Sequence, residues 1–167
     1  MRLKAELHYD ADPGTVFAML TDPAFQERKL AATGALEHEV TVTPASDGGA
    51  IVTSRRTMPT DDVPDLVRNL VGPTLTVVQV EEWGPPEADG GRDGEVIVEV
   101  SGAPLRLTGD LRLAPDGAGR SLETVAGELK ARVPIIGGRI ERSAEPAILG
   151  AIEVEEREGR AWLAERS

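Results

Sequence analysis

Cysteine is missing from this 167-residue chain, which excludes disulfides, thiolate metal sites and a cysteine nucleophile, and leaves nothing that a reducing compartment would disturb. Aromatic side chains are almost as scarce: two tryptophans, two phenylalanines and one tyrosine. Positive charge is in short supply as well. Eighteen basic residues face 29 acidic ones for a net charge of −11, so attraction to nucleic acid or anionic lipid is unfavourable over most of the surface. No apolar run approaches the ~20 residues needed to cross a bilayer. The opening MRLKAELHYDAD alternates charged and apolar residues instead of forming the apolar core of a signal peptide. These absences predict a cytoplasmic protein without integral membrane association. Enzyme signatures are missing too: there is no GxSxG elbow, phosphate loop, HExxH or Cys/His metal cluster. The glycine-rich DGGRDG precedes a strand pattern, where a dinucleotide fingerprint needs a helix. The expectation is therefore no metal and no cofactor.

What is present reads as one domain over residues 1–167. A chain of this size can bury roughly 70% of its unfolded surface around a single core. Leu3, Ala5, Leu7 and Tyr9 alternate with Arg2, Lys4, Glu6 and His8, the period of a half-buried strand. Asp12-Pro13 and Asp22-Pro23 each set a capping carboxylate before a proline suited to the first helical turn, which predicts short helices at about 13–20 and 23–32. From residue 36 the pattern is a series of strands at about 36–44, 50–58, 74–83, 94–101, 105–113 and 120–133. Asp47-Gly48, Asp93-Gly94, Ala103-Pro104 and Asp116-Gly117 mark the reversals. Sequential antiparallel pairing is the simplest connection. Val63, Leu66, Val67, Leu70 and Val71 recur at spacings of three and four, so a short amphipathic helix interrupts the strands. After Val133, Pro134 ends regular ladder pairing, Gly137-Gly138 lets the backbone turn, and Ile140, Ala144, Ala147, Ile148, Ala151 and Ile152 form a helical stripe. That last helix should pack inward along its length, with Pro146 kinking or splitting it.

A strand, two short helices, six strands and a long C-terminal helix is the element order of the helix-grip fold, an α+β architecture. In it a curved antiparallel sheet of about seven strands wraps around the last helix. The segments DADPGTVFAMLTDPAFQERKL and VPIIGGRIE resemble the entry helices and the final helix of the START-like superfamily, also called the SRPBCC, polyketide cyclase or Bet v 1-like group. RRTMPTDDVPDLVRNLVG, VVQVEEW and VPIIGGRIERSAE are similar to an uncharacterised bacterial branch of it. The resemblance covers essentially the whole chain. It implies a cavity between sheet and helix for a hydrophobic or amphipathic small molecule such as a lipid or polyketide, bound without catalysis. It also allows a cyclase or hydratase using His38 or Glu155. A ligand-free interaction module acting through the 62–71 helix is the third reading, and oligomeric state stays open.

The residues expected to line the ligand site follow from strand parity and the helical stripe. If Leu36, Val40 and Val42 face the interior, His38 does too; such an imidazole can orient a ligand or move a proton, or it can be a satisfied core histidine or one at the sheet's open end. Glu155 lies on the inward line with Ile148, Ile152 and Trp162, where it is either a desolvated general acid or a glutamate reaching water. Tyr9 and Trp83 offer apolar bodies with polar tips, as pocket wall or as core. Leu66 and Leu70 from the interposed helix, Leu107 and Leu129 from the late strands, and Val40 complete the apolar lining. Ser54, Arg55, Arg56, Gln79, Glu81 and Glu82 sit on central strands, and some of them must project inward. A buried arginine there would need a carboxylate partner, either as a polar anchor in the cavity or as a cross-strand surface pair. Gly127, Ala131, Ala144, Ala147 and Ala151 either leave room for a ligand or let helix and sheet approach closely.

Overall fold

The computed structural model describes residues 1–167. Strand β1 (Arg2–Tyr9) is followed by helices α1 (Pro13–Leu20) and α2 (Pro23–Ala32), then β2 (Glu37–Pro44), β3 (Ala50–Pro59), α3 (Asp65–Val71), β4 (Thr74–Trp83), β5 (Arg92–Ser101), β6 (Leu105–Pro115), β7 (Ser121–Ala131) and α4 (Gly137–Arg166). Both early helices start as their Asp-Pro signals require: Asp12 Oδ2 accepts from Thr15 N, and Asp22 Oδ1 from Ala24 N. The strands form one curved sheet in the order β1-β7-β6-β5-β4-β3-β2, every pair antiparallel. The helix-grip expectation holds, down to the two short helices after β1.

Alternation decides what each strand shows to α4. Leu3, Leu7 and Tyr9 of β1 are buried, as are Leu105, Leu107, Leu111 and Leu113 of β6. One apolar cluster joins Leu7, Tyr9, Trp83, Leu111 and Leu113 to Val16, Met19, Leu20, Phe25 and Trp162. The rings of Phe25 and Trp162 meet edge to face at 5.6 Å, a geometry worth ~0.5–1.5 kcal/mol beyond area burial. A second cluster, Leu3, Leu105, Leu107, Leu129, Ala131 and Ile140, forms under the start of α4. Arg28 ties α2 to α4 from outside, through Glu158 at 3.0 Å and Glu165 at 2.7 Å.

Several details depart from the sequence pattern. α4 is continuous from Gly137 to Arg166 with Pro146 inside it, so the proline does not split the helix. Pro146 and Ala147 are exposed, and the tertiary contacts of the inward face outweigh one missing backbone bond. Leu36 is 61% exposed just before β2, and thus does not share an interior face with Val40. β5 begins two residues early, at Arg92. Its guanidinium donates to the Gly48 and Gly84 carbonyls and stacks over Phe17, which draws the 84–91 loop against the sheet.

Candidate functional site

Parity places a row of polar side chains on the concave face of the sheet. Along β3 the inward positions run Ala50, Val52, Ser54, Arg56; along β4 they run Val77, Gln79, Glu81, Trp83. On β7, Ser121, Glu123, Leu129 and Ala131 are buried. Glu123 stands opposite Leu7 of β1 and Leu113 of β6, and both neighbours are fully buried leucines. α2 adds Lys29, and α4 adds Glu155. Three carboxylates and one ammonium thus converge between the two apolar clusters, each no more than 9% exposed.

The contacts within this group are specific. Lys29 Nζ donates to Glu155 Oε2 at 2.7 Å. Glu81 accepts from Gln79 Nε2 at 2.6 Å and from Trp83 Nε1 at 3.2 Å, so both its oxygens are engaged. Oε2 of Glu123 and the hydroxyl of Tyr9 are shut away from solvent with no hydrogen-bond partner. Burial pushes the Glu123 carboxyl well above the ordinary 4.5, helped by the charges of Glu155 and Glu81 and only partly opposed by Lys29. Glu81 moves up for the same leading reason, burial, with Lys29 pulling it back. Desolvation works against the Lys29 ammonium, but the charges of Glu155 and Glu81 outweigh it and hold the group above its ordinary value. The Tyr9 phenol is likewise driven well up, by burial first and then by Glu123.

These groups form the polar end of a cavity of about 90 Å³. Its polar wall is Lys29, Thr33, Arg56, Gln79, Glu81, Glu123 and Glu155; its apolar wall includes Val96, Val98, Leu107, Val125, Ile148 and Ile152. A separate, smaller apolar void of about 10 Å³ shares Val96, Leu107, Val125, Ile148 and Ile152 with it and is also lined by Gly109 and Gly127. Those two glycines are cross-strand partners. A Cβ at Gly109 would lie 2.7 Å from the Ala126 carbonyl, and one at Gly127 would lie 2.6 Å from the Thr108 carbonyl. At this pair β6 and β7 thus run too close for a side chain on either residue, and the small void lies beside them.

Among the lining residues anticipated from sequence, Leu107, Ile148, Ile152 and Glu155 stand on the cavity wall. Glu155 is buried against Lys29, so it neither reaches water nor stands alone as an acid. Tyr9 and Trp83 lie in the apolar cluster behind the wall, Trp83 reaching it through its bond to Glu81. Leu129 and Leu66 belong to the second cluster. Leu70 is 37% exposed on α3. Val40 is half-buried on β2 outside the cavity. His38 also stands outside it, with Nδ1 2.9 Å from Glu27 Oε2 of α2. Lys29 and Glu123 are the site residues that the sequence reading passed over. Glu123 shares strand parity with Leu129 and Ala131, and that parity marks it as inward.

Over 118 residues, 70% of this chain and 67% of the relative, the chain is 28% identical to an uncharacterized protein of Mycobacterium tuberculosis strain H37Rv. Its fold is similar to that of a START superfamily protein from Mycobacterium smegmatis, with a TM-score of 0.56, 12% identity and 95% of each chain covered. It is also similar to an aromatase/cyclase from Streptomyces sp. R1128, with a TM-score of 0.60, 12% identity and coverage of 95% of this chain and 93% of the other. The START-like fold expected from the sequence is therefore present. The family model described as "Protein of unknown function (DUF2505)" matches residues 4–163, and the chain belongs to that family.

Proposed function

We propose that this protein binds a small amphipathic molecule between the sheet and α4, with no reaction catalysed. The observation that carries this reading is a cavity whose wall is apolar along Val98, Leu107, Val125, Ile148 and Ile152 and charged at the Lys29–Glu155 end. A pocket with a few convergent polar groups in an apolar wall is the usual form of a small-molecule site. The START superfamily and aromatase/cyclase neighbours support a ligand-binding fold. Size narrows the ligand class. About 90 Å³ is well under the ~300–1,000 Å³ of drug-sized sites, so a whole lipid would have to push α4 away from the sheet, whereas a short chain with one polar group needs little movement. The cyclase or hydratase alternative loses ground on geometry: His38 is outside the cavity, and Glu155 is held by Lys29.

Isothermal titration with hexan-1-ol, hexanoate and hexylammonium tests the reading. At least one probe should bind saturably at one site, and Ala151→Leu, which places a side chain into the cavity, should remove that binding while the variant still unfolds cooperatively. No saturable binding of any probe, or binding untouched by Ala151→Leu, would overturn it.

A further inference from the structure

The charged groups of the cavity do not balance. Glu81, Glu123 and Glu155 face it from β4, β7 and α4; Lys29 faces it from α2 and Arg56 from β3, while Tyr9 of β1 stands behind Glu123. Lys29 is committed to Glu155. Glu81 is satisfied by Gln79 and Trp83. Glu123 remains, 2% exposed, on the cavity wall and with Oε2 unpartnered. Three acids against two bases leave the site one positive charge short when all are ionised. Without a ligand, the cheapest remedy is a proton on Glu123, since an unpaired carboxylate in a desolvated site is far costlier than its neutral form. A neutral carboxyl there still lacks the acceptor that its O–H requires, and buried polar groups are nearly always paired.

We propose that the cavity takes a cationic amine, a short alkyl- or arylalkylammonium whose N–H groups donate to Glu123 while its apolar part lies along Ile148, Ile152 and the void beside Gly109 and Gly127. This deepens the binding reading and rests on it. The cation replaces the proton on Glu123, so one positive charge enters as another leaves and the site stays balanced. The bond it forms is a charge-assisted one in a water-poor site, the strong class of hydrogen bond. An anionic ligand would instead meet three carboxylates, with only Arg56 to receive it. The net charge of −11 adds a long-range field that favours cations.

Titration calorimetry at pH 7 with hexylammonium, hexan-1-ol and hexanoate decides the matter. Hexylammonium should bind about tenfold or more tightly than either companion. In buffers of different ionisation enthalpy its binding should show net proton release. Glu123→Gln should abolish both the preference and the proton release. Ala151→Leu should abolish the binding itself, which separates the cavity from the acidic surface. If hexan-1-ol or hexanoate binds as well as the amine and Ala151→Leu removes it, the cation assignment is overturned and the cavity reading survives. If no probe binds, or if Ala151→Leu spares the amine, both are overturned.

Discussion

Lys29 of α2 and Glu155 of α4 meet at 2.7 Å across 126 residues of sequence, with both side chains nearly closed to solvent. The contact locks the long helix to the early helical pair at the floor of the cavity. A buried pair contributes little compared with a well-packed apolar substitute, yet breaking it leaves one charge stranded. Lys29→Met is expected to cost about 3–5 kcal/mol, and Lys29→Met with Glu155→Leu to recover most of that. Urea unfolding of the two variants checks it; equal losses in single and double variants would show that the pair is not the source.

Acidity provides a second test. Glu123 and Glu81 have raised carboxyl pKa values in the folded chain, so the folded state holds protons that the unfolded chain releases above its ordinary 4.5. Stability contributed by these groups is complete below that pH and is lost as pH rises toward the folded values. Asp12 and Glu141, lowered chiefly by the Thr15 side-chain and Ala131 backbone hydrogen bonds respectively, act in the opposite sense and lose their contribution in acid. Maximum stability is therefore expected in mild acid, not at neutrality. Glu123→Gln should flatten the fall, gaining stability at pH 8 over the parent and close to nothing at pH 4. Denaturation midpoints across that range measure it, and parallel curves for the two proteins would contradict it.

Two glycines on one helix should respond in opposite directions. At Gly159 a Cβ would stand 2.7 Å from Tyr9 Cε1 and 3.0 Å from Met19 Cε, whereas at Gly150 it meets nothing within 4 Å. Gly159→Ala is expected to destabilise by about 1–3 kcal/mol through overpacking. Gly150→Ala should stabilise by up to ~1 kcal/mol through helix propensity. Thermal unfolding of both variants gives the comparison, and a stabilised Gly159→Ala would mean that α4 can move off Tyr9.

His38 supplies a negative control. Its imidazole contacts Glu27 on a partly exposed edge, where ion pairs are worth ~0–1 kcal/mol. His38→Ala should leave probe binding unchanged and cost less than about 1 kcal/mol. A tenfold loss of affinity would bring the residue back into the site.

Much of the cavity wall was legible in strand parity. Alternation puts Glu81 on the face of Trp83, and Glu123 on the face of Leu129, without any knowledge of the fold. The stripe on α4 likewise singled out Ile148, Ile152 and Glu155. Lys29 was not legible: on α2 it follows Phe25 by four residues, and a lysine in that place is as often a solvated edge of the apolar face as part of it. His38 shows the reverse difficulty. Parity gives its face, but β2 is an edge strand, and that face looks toward α2 instead of the cavity.

Periodicity, Asp-Pro caps and Gly-marked turns, all short-range properties of the chain, determined the seven strands, the helices and their order. What tertiary structure alone decided is which charges lose their water together. Lys29, Glu81, Glu123 and Glu155 lie far apart in sequence, and only the closing of the curved sheet on α4 brings them into one desolvated space, where pairing and protonation are properties of the group and not of any single residue.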